Sequence, residues 1–156
     1  HGDRNMAAAQ IAIRFGLKGM CTCPVTACAG GTNAVGDAFH RIRDGYEPVM
    51  VCGGAESCIS PLGIGGFTSM KALSTAADLM QPACPSTHGA AASSWAKAAV
   101  CWCWKSWSTP ARGAHIYAEV VGYGANCDAY HFTAPAPGGA APPPAPGWYP
   151  YRCRPG

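Results

Sequence analysis

The sequence is poor in charge and has no long apolar run. Charged residues make up 12% of its 156 positions, whereas hydrophobic residues make up 49%. Disordered chains combine low hydrophobicity with high net charge, so this composition favours a folded chain. Glycine, proline or charge interrupts each apolar stretch, and none approaches the roughly 20 residues of a membrane-spanning helix. We therefore expect a folded chain without a membrane partner.

A secretory signal is also lacking at the start of the sequence. Residues 1–5 (HGDRN) are polar and contain no initiator methionine. A signal peptide would need an apolar segment near this point. We expect the sequence to begin inside a longer protein, and we expect that protein to be cytoplasmic.

The ten cysteines do not form the spacings of a metal site. Cys21 with Cys23 and Cys101 with Cys103 are Cys-x-Cys pairs, whereas structural zinc sites usually use Cys-x₂-Cys. A secreted disulfide scaffold would be the other usual explanation. Residues 5–75 instead show helices and strands with apolar faces, which need no covalent links. We expect free thiols, no metal and no cofactor.

Hydrophobic periodicity predicts alternating helices and strands in the first half of the chain. Helical spacing covers residues 5–15 and 30–43, and Gly16 can end the first helix. Residues 23–27 and 48–52 read as short buried strands, and residues 115–123 alternate in part like a further strand. This order predicts an α/β fold with a covered sheet.

Two segments do not follow this pattern. Residues 84–110 contain four of the five tryptophans, three cysteines and no acidic residue. Residues 134–156 are rich in proline, glycine and alanine, which excludes a regular element of any length.

Cys28 lies between a predicted strand and a predicted helix. A thiol at a helix N-terminus is exposed to the positive end of the helix dipole, which favours the thiolate. The free N–H groups there can stabilise the oxyanion that forms when a thiolate attacks a thioester. Gly30 and Gly31, which follow, let a substrate approach the backbone closely. A small buried cysteine at a tight turn would have the same local pattern, so both interpretations stay open on spacing alone.

Several motifs resemble the β-ketoacyl-acyl-carrier-protein synthase family, the condensing enzymes of fatty-acid synthesis. The similarity covers residues 2–82 and returns at 111–139, and it is closer to the type II bacterial elongation enzymes than to thiolases generally. The motifs are TACAGG at 26–31, VCGGAE at 51–56, PLGIGGF at 61–67, RGAHIYAEVVGYG at 112–124 and DAYH at 128–131. The resemblance implies a thiolase-like layered α/β/α/β/α fold, of which this chain is a central fragment. Residues 1–139 would be a partial ketoacyl-synthase domain in which residues 84–110 are out of frame, and residues 140–156 a Pro/Gly-rich stretch that is either disordered or out of frame.

The same resemblance implies a function. Cys28 would be the nucleophile and a backbone oxyanion donor, accepting an acyl chain that decarboxylating malonyl-carrier protein then extends. Acyl-carrier protein would be the partner, and the parent enzyme a homodimer. Two histidines and a lysine serve the family in decarboxylation, and none of the five histidines here occupies those positions. We therefore expect this chain alone to be inactive in the condensation. A polyketide ketosynthase fragment and a non-catalytic remnant or translated artefact are the alternatives.

Four further residues match family positions near the substrate. Phe67 and Gly63 match the acyl-pocket region, although a plain core phenylalanine would look the same. Asp128 and His131 match a loop at the mouth of the active site, and a structural turn is the alternative there.

A reading-frame slip explains residues 84–110. The family usually has Pro-Phe-Asp, then Gly-Phe-Val-x-Gly-Glu-Gly, an apolar strand and Glu-Glu in this interval. Codons for LPFDARRGGFVMGEG, followed by codons for GRVLVLEELEHA, give residues 84–110 as printed when read from their second base. Apolar residues have T at the middle of their codons, and the slip moves that T to the first position, where it encodes Cys, Trp or Ser. The net charge of +3 includes this segment, so it gives no reason to expect a nucleic-acid partner.

Overall fold

A computed structural model describes residues 5–70, 73, 98–106, 115–131, 136–139 and 153–155. The chain divides into two compact units, one formed by residues 1–54 and 101–156 and the other by residues 55–100. The elements are α1 (Met6–Phe15), a 3-10 turn (Ala27–Ala29), α2 (Gly30–Arg43), β1 (Val49–Glu56), α3 (Pro61–Ser69), β2 (Ala98–Lys105), β3 (Ala118–Val120), a second 3-10 turn (Pro137–Gly139) and β4 (Cys153–Pro155).

The two predicted helices of the first unit are confirmed. Helix α1 ends at Gly16, which adopts φ +64° as a left-handed cap. The N–H of Leu17 closes the last turn on the carbonyl of Ala12 at 2.9 Å, a bond pattern that glycine at this position permits. Helix α2 has the predicted bounds, with His40, Arg41 and Arg43 in its last turn, where cations interact favourably with the helix dipole.

The predicted strand at residues 23–27 is wrong. These residues are irregular up to Thr26, and the 3-10 turn begins at Ala27. Val25, which a buried strand would cover, is 57% exposed. A short apolar run forms a strand only where a neighbouring strand accepts its backbone hydrogen bonds, and none pairs with it in the described part of the chain.

The described strands form two sheets of two strands each. Strand β1 contains the predicted residues 48–52 from Val49 onwards and continues to Glu56. It pairs with β2, and the N–H of Ser106 donates to the carbonyl of Pro48 at 2.9 Å, joining the end of β2 to the start of β1. The second sheet is the short antiparallel pair of β3 and β4, with Glu119 opposite Arg154. Strand β4 lies in the Pro/Gly-rich tail, where the sequence predicted no long element.

The expectation of a covered sheet is wrong for the described residues. The buried hydrophobic residues among them are Ala38 in α2 and Cys52 in β1. Val49 and Val51, on the same strand as Cys52, are 43% and 39% exposed. Burial on both faces requires helices on both sides of a sheet, and α2 approaches β1 closely at one point, between Gly31 and Gly54.

In the second unit, α3 begins with a local cap. The hydroxyl of Ser60 accepts the N–H of Gly63 at 3.1 Å, and Pro61 occupies the first helical turn, where its missing N–H has no cost. No helix among the described residues is long and apolar enough to cross a membrane.

Candidate active site around Cys28

Cys28 lies in a strained turn at the start of a helix. The 3-10 turn Ala27–Ala29 runs directly into α2, so the thiol stands in the first turn of a continuous helical segment. Ala27 adopts φ +47°, a left-handed conformation that costs a non-glycine residue roughly 1–3 kcal/mol. Such a conformation persists only where neighbouring contacts hold it. Here it turns the chain sharply and leaves Cys28 exposed.

The backbone N–H groups that follow Cys28 have acceptors within the turn. The N–H of Ala29 donates to the carbonyl of Thr26 at 3.0 Å, and the N–H of Gly30 donates to the carbonyl of Ala27. The N–H of Cys28 belongs to the first helical turn, whose donors have no acceptor within the helix. It is therefore suited to donate to an oxygen atom on a substrate bound at the thiol.

The close approach of α2 to β1 depends on the glycine at position 54. A Cβ atom added at Gly54 would lie 3.2 Å from the Cα of Gly31, which is closer than ordinary contact, so a side chain there would push the two backbones apart. A Cβ atom added at Gly31 would lie 3.7 Å from the Cα of Gly54, an ordinary contact distance. The packing role therefore belongs to Gly54, and the role of Gly31 in substrate access stays a prediction.

A chain of side-chain hydrogen bonds reaches the turn from a distant part of the sequence. The hydroxyl of Tyr123 donates to Oδ1 of Asn33 at 2.6 Å. Nδ2 of the same Asn33 donates to Oγ1 of Thr26 at 2.7 Å. Thr26 lies two residues before Cys28, so the chain ends at the nucleophile turn. None of these three residues had a predicted role of its own.

Tyr123 packs along one face of α2. Asn33, Gly36 and His40 lie three and four residues apart, so they share that face. The Tyr123 ring occupies the space where a Cβ of Gly36 would stand, and it meets the His40 ring edge-on at 5.8 Å between centroids. Burial, followed by the negative charge of Asp37, raises the pKa of the Tyr123 hydroxyl. The hydroxyl therefore remains a hydrogen-bond donor throughout the neutral range.

The polar residue at position 33 is a sequence feature that could have indicated this hydrogen-bond chain. Asn33 stands in the first turns of α2 on the half-buried side, where an apolar residue would be usual. A buried amide requires partners for its oxygen and its nitrogen. The sequence could not identify Tyr123 as one of them, because the two residues are 90 positions apart.

Asp128 organises the loop in which it lies. Its carboxylate accepts the N–H of Tyr130 at 3.2 Å and the N–H of Ala136 at 3.0 Å. These bonds to backbone groups on both sides of the loop support the structural-turn interpretation of Asp128. His131 is exposed, and its ring centroid lies 6.5 Å from that of Tyr130. Both residues belong to the unit that contains Cys28.

Gly63 and Phe67 lie in the other unit, on α3. Gly63 is required by the cap of this helix, since a Cβ there would overlap the carbonyl oxygen of Cys58. Phe67 is 37% exposed. Just before the helix, the carboxylate of Glu56 accepts the N–H groups of Ser57 and Cys58 at 2.8 and 3.0 Å. The Cys58 side chain and then the Ser57 N–H lower the pKa of Glu56.

Comparison with known families shows where this architecture belongs. The model of the β-ketoacyl synthase N-terminal domain matches residues 1–97, which include Cys28 and the whole of α2. The chain belongs to the β-ketoacyl synthase family. The resemblance drawn from the motifs is thereby confirmed.

Curated relatives carry the same family name. The chain is 44% identical over 139 residues to 3-oxoacyl-[acyl-carrier-protein] synthase 2 of Synechocystis sp., which covers 86% of this chain and 33% of the relative. It is 43% identical over 136 residues to the enzyme of the same name from Staphylococcus aureus, with 86% and 34% coverage. The chain thus spans about a third of the length of these relatives.

Solved structures confirm the α/β ketosynthase fold class. A type II PKS ketosynthase, solved with its acyl-carrier protein and bound to a hexaketide (AntDE:AntF), superposes with a TM-score of 0.78 at 33% identity. That match covers 86% of this chain and 34% of the ketosynthase. A β-ketoacyl synthase from Burkholderia phymatum gives a TM-score of 0.70 at 31% identity, over 84% of this chain and 32% of the other. The described helices and strands are therefore part of the thiolase-like architecture.

Proposed function

We propose that Cys28 is the acyl-accepting nucleophile of a 3-oxoacyl-[acyl-carrier-protein] synthase. The observation that carries the proposal is the position of this exposed thiol in the first helical turn, directly after the strained Ala27. Membership of the β-ketoacyl synthase family supports it, as do the names of the curated relatives.

The reaction has two stages. In the first, the Cys28 thiolate attacks the carbonyl carbon of an acyl thioester on carrier protein, while the N–H of Cys28 donates to the developing oxyanion. The intermediate collapses to an acyl-Cys28 thioester, and the carrier thiol leaves with a proton. In the second, malonyl-carrier protein loses carbon dioxide, and its α-carbon forms a bond to the acyl carbon. The bond to the Cys28 sulfur breaks, and the carrier holds a chain two carbons longer.

Acyl-carrier protein is the proposed partner in both stages. The polyketide ketosynthase that superposes on this chain was solved in complex with its acyl-carrier protein, which supports a partner of this class. We further propose a homodimeric parent enzyme and a cytoplasmic location, both on the strength of the family resemblance.

A polyketide ketosynthase is the second candidate function. The ketosynthase neighbour bound to a hexaketide supports it, but at 33% identity. The relatives named 3-oxoacyl-[acyl-carrier-protein] synthase 2 reach 43–44% identity, likewise over 86% of the chain. Fatty-acid elongation is therefore the better-supported function.

Acyl transfer to Cys28 tests the proposal directly. The chain is mixed with carrier protein loaded with a saturated acyl thioester, and its peptides are mapped by mass spectrometry. We expect the acyl mass on the Cys28 peptide, its loss in Cys28→Ser, and its retention in Cys127→Ser, which removes another exposed thiol of the same unit. An acyl group spread over several cysteines, or none at Cys28, contradicts the proposal.

A further inference from the structure

The hydrogen-bond chain from Tyr123 ends next to the nucleophile turn. Tyr123 follows β3, and its hydroxyl donates to Oδ1 of Asn33 at 2.6 Å. Oδ1 of the Asn33 amide faces Tyr123 in this arrangement, and Nδ2 faces Thr26, to whose Oγ1 it donates at 2.7 Å. The three side chains form one continuous path of hydrogen bonds.

Thr26 is held from two sides at this turn. Its hydroxyl accepts from Asn33, and its carbonyl accepts the N–H of Ala29 at 3.0 Å. Ala27, between Thr26 and Cys28, has the unfavourable φ of +47°. A strained residue keeps its conformation only while the residues around it are restrained. If Thr26 were released, Ala27 could relax, and Cys28 would leave its position in the first helical turn.

We propose that Asn33 and Tyr123 are positioning residues for Cys28. They act through Thr26, which they hold so that the thiol and its N–H keep their place at the helix start. The inference rests on the proposed function, because it concerns the geometry of the same nucleophile. It also links two parts of the chain, since Tyr123 leads into residues 124–131, which contain Asp128 and His131.

A packing role for Tyr123 is the competing explanation. Its ring fills the space beside Gly36 and meets His40, and those contacts need no hydroxyl group. Under that explanation Tyr123→Phe would leave the turn unchanged. Under the positioning role, loss of the hydroxyl frees the Asn33 amide and weakens its bond to Thr26.

The reactivity of Cys28 relative to Cys127 distinguishes these explanations. The whole chain is treated with iodoacetamide, and the two labelling rates are read from the same peptide map. Cys127 lies in the same unit and is exposed, so it reports any general loosening. We expect Tyr123→Phe and Thr26→Val each to lower the Cys28/Cys127 rate ratio about three- to tenfold, the effect of losing one hydrogen bond.

Conservative variants make the test specific. Thr26→Ser keeps the acceptor oxygen, so we expect it to retain the wild-type ratio. Tyr46→Phe removes a hydroxyl from a tyrosine that is 73% exposed and packs under Arg41, and it should change nothing. The double variant of Tyr123→Phe with Thr26→Val should be no worse than the more affected single variant, because both break one path.

Three results would overturn the inference. They are an unchanged ratio in Tyr123→Phe, equal losses at Cys28 and Cys127, and strictly additive effects in the double variant. None of these measurements uses carrier protein, so they are separate from the acyl-transfer test. A chain that shows the ratio changes but accepts no acyl group would retain the positioning role and refute the proposed function.

Discussion

The described cysteines differ in burial: Cys52 is buried, whereas Cys28 and six others are exposed. Cys28 is exposed in the first turn of a helical segment, whose backbone N–H groups have no acceptor within the helix. Cys52 is buried in β1, and burial raises its pKa to about 11. The indole N–H of Trp104 opposes this rise but does not meet the sulfur at hydrogen-bonding geometry, and it has no partner in the described structure.

We expect alkylation to label Cys28 first among the ten cysteines and Cys52 last among those described. The pKa of Cys52 is raised on folding, so its contribution to stability is complete below about pH 9 and is lost as the pH rises towards 11. In that window the unfolded chain releases the thiol proton before the folded chain does. Peptide mapping after brief labelling at about pH 7 and pH 10 measures the order. Labelling of Cys101 or Cys103 before Cys28 at the lower pH would show that the turn is not assembled.

Helix α2 is positioned by the absence of side chains at two points. Gly31 meets Gly54 of β1, and Gly36 makes room for the Tyr123 ring. Gly54 and Tyr123 both lie later in the sequence than α2, and both restrain the helix that follows the Cys28 turn. The position of the Cys28 turn therefore depends on how the whole of α2 packs.

Gly36→Ala tests this packing. A Cβ at position 36 would overlap the Tyr123 ring, so we expect a loss of about 1–3 kcal/mol in the free energy of unfolding and a lower Cys28/Cys127 labelling ratio. Gly65→Ala is the matched control, because nothing lies within 4 Å of a Cβ at that position in α3. Alanine there should leave the helix equally stable or stabilise it by up to about 1 kcal/mol. Urea unfolding of both variants measures the two changes in the free energy of unfolding. If the unfolding curves of Gly36→Ala and Gly65→Ala were equal, Gly36 would have no special packing role.

The described part of the chain exposes several large apolar side chains. A full-length family member has more residues with which to cover such side chains. Ile13 and Phe15 of α1 are 76% and 70% exposed, and Leu62 of α3 is 88% exposed. The chain spans about a third of its curated relatives. Apolar groups that remain in water contribute no burial free energy, so stability is expected to be low.

Restoring the reading frame between Ala83 and Ala111 should improve folding. Of the four tryptophans in this segment, the structure describes two: Trp102 is 53% exposed, and Trp104 holds its indole N–H without a partner. Trp95 and Trp107 lie outside the described residues. The restored sequence has an alternating apolar strand followed by acidic residues, which suits a strand beside β1. Solubility and thermal cooperativity of both versions measure the effect.

A single substitution serves as the control for that comparison. Trp104→Phe leaves the printed reading frame unchanged and keeps an aromatic side chain, but it removes the indole N–H that has no partner in the described structure. It should therefore recover only a part of the gain in solubility and cooperativity. If the restored and printed chains were equally soluble and unfolded with equal cooperativity, the frame-slip hypothesis would have no structural support.

The chain of 156 residues should not catalyse condensation by itself. None of its five histidines occupies the positions that the family uses in decarboxylation, so no residue pair is in place to handle the malonyl group. We expect no carbon dioxide release from malonyl-carrier protein above that of Cys28→Ala. Release that depends on Cys28 would contradict this prediction and would require a different decarboxylation apparatus within the chain.

Local sequence information was sufficient for α1, for α2 and for the position of Cys28 next to the start of α2. Helical periodicity, the left-handed cap at Gly16 and the alternation of strand and helix all act over a few residues. The motifs around Cys28 and residues 51–56 identified the family for the same reason, since each is a continuous stretch. The predicted strand at 23–27 failed because an apolar run of that length becomes a strand only with a partner.

The hydrogen bonds from Tyr123 through Asn33 to Thr26 could not be predicted from the amino-acid sequence. A half-buried Asn33 amide indicates that hydrogen-bond partners are present, but the donor to its oxygen is Tyr123, 90 residues away. The pairing of β3 with β4 is of the same kind, because Ala118 meets Pro155 across a long separation. Hydrogen bonds between distant residues depend on how packed elements bring their atoms within about 3 Å, and that proximity is a property of the folded chain.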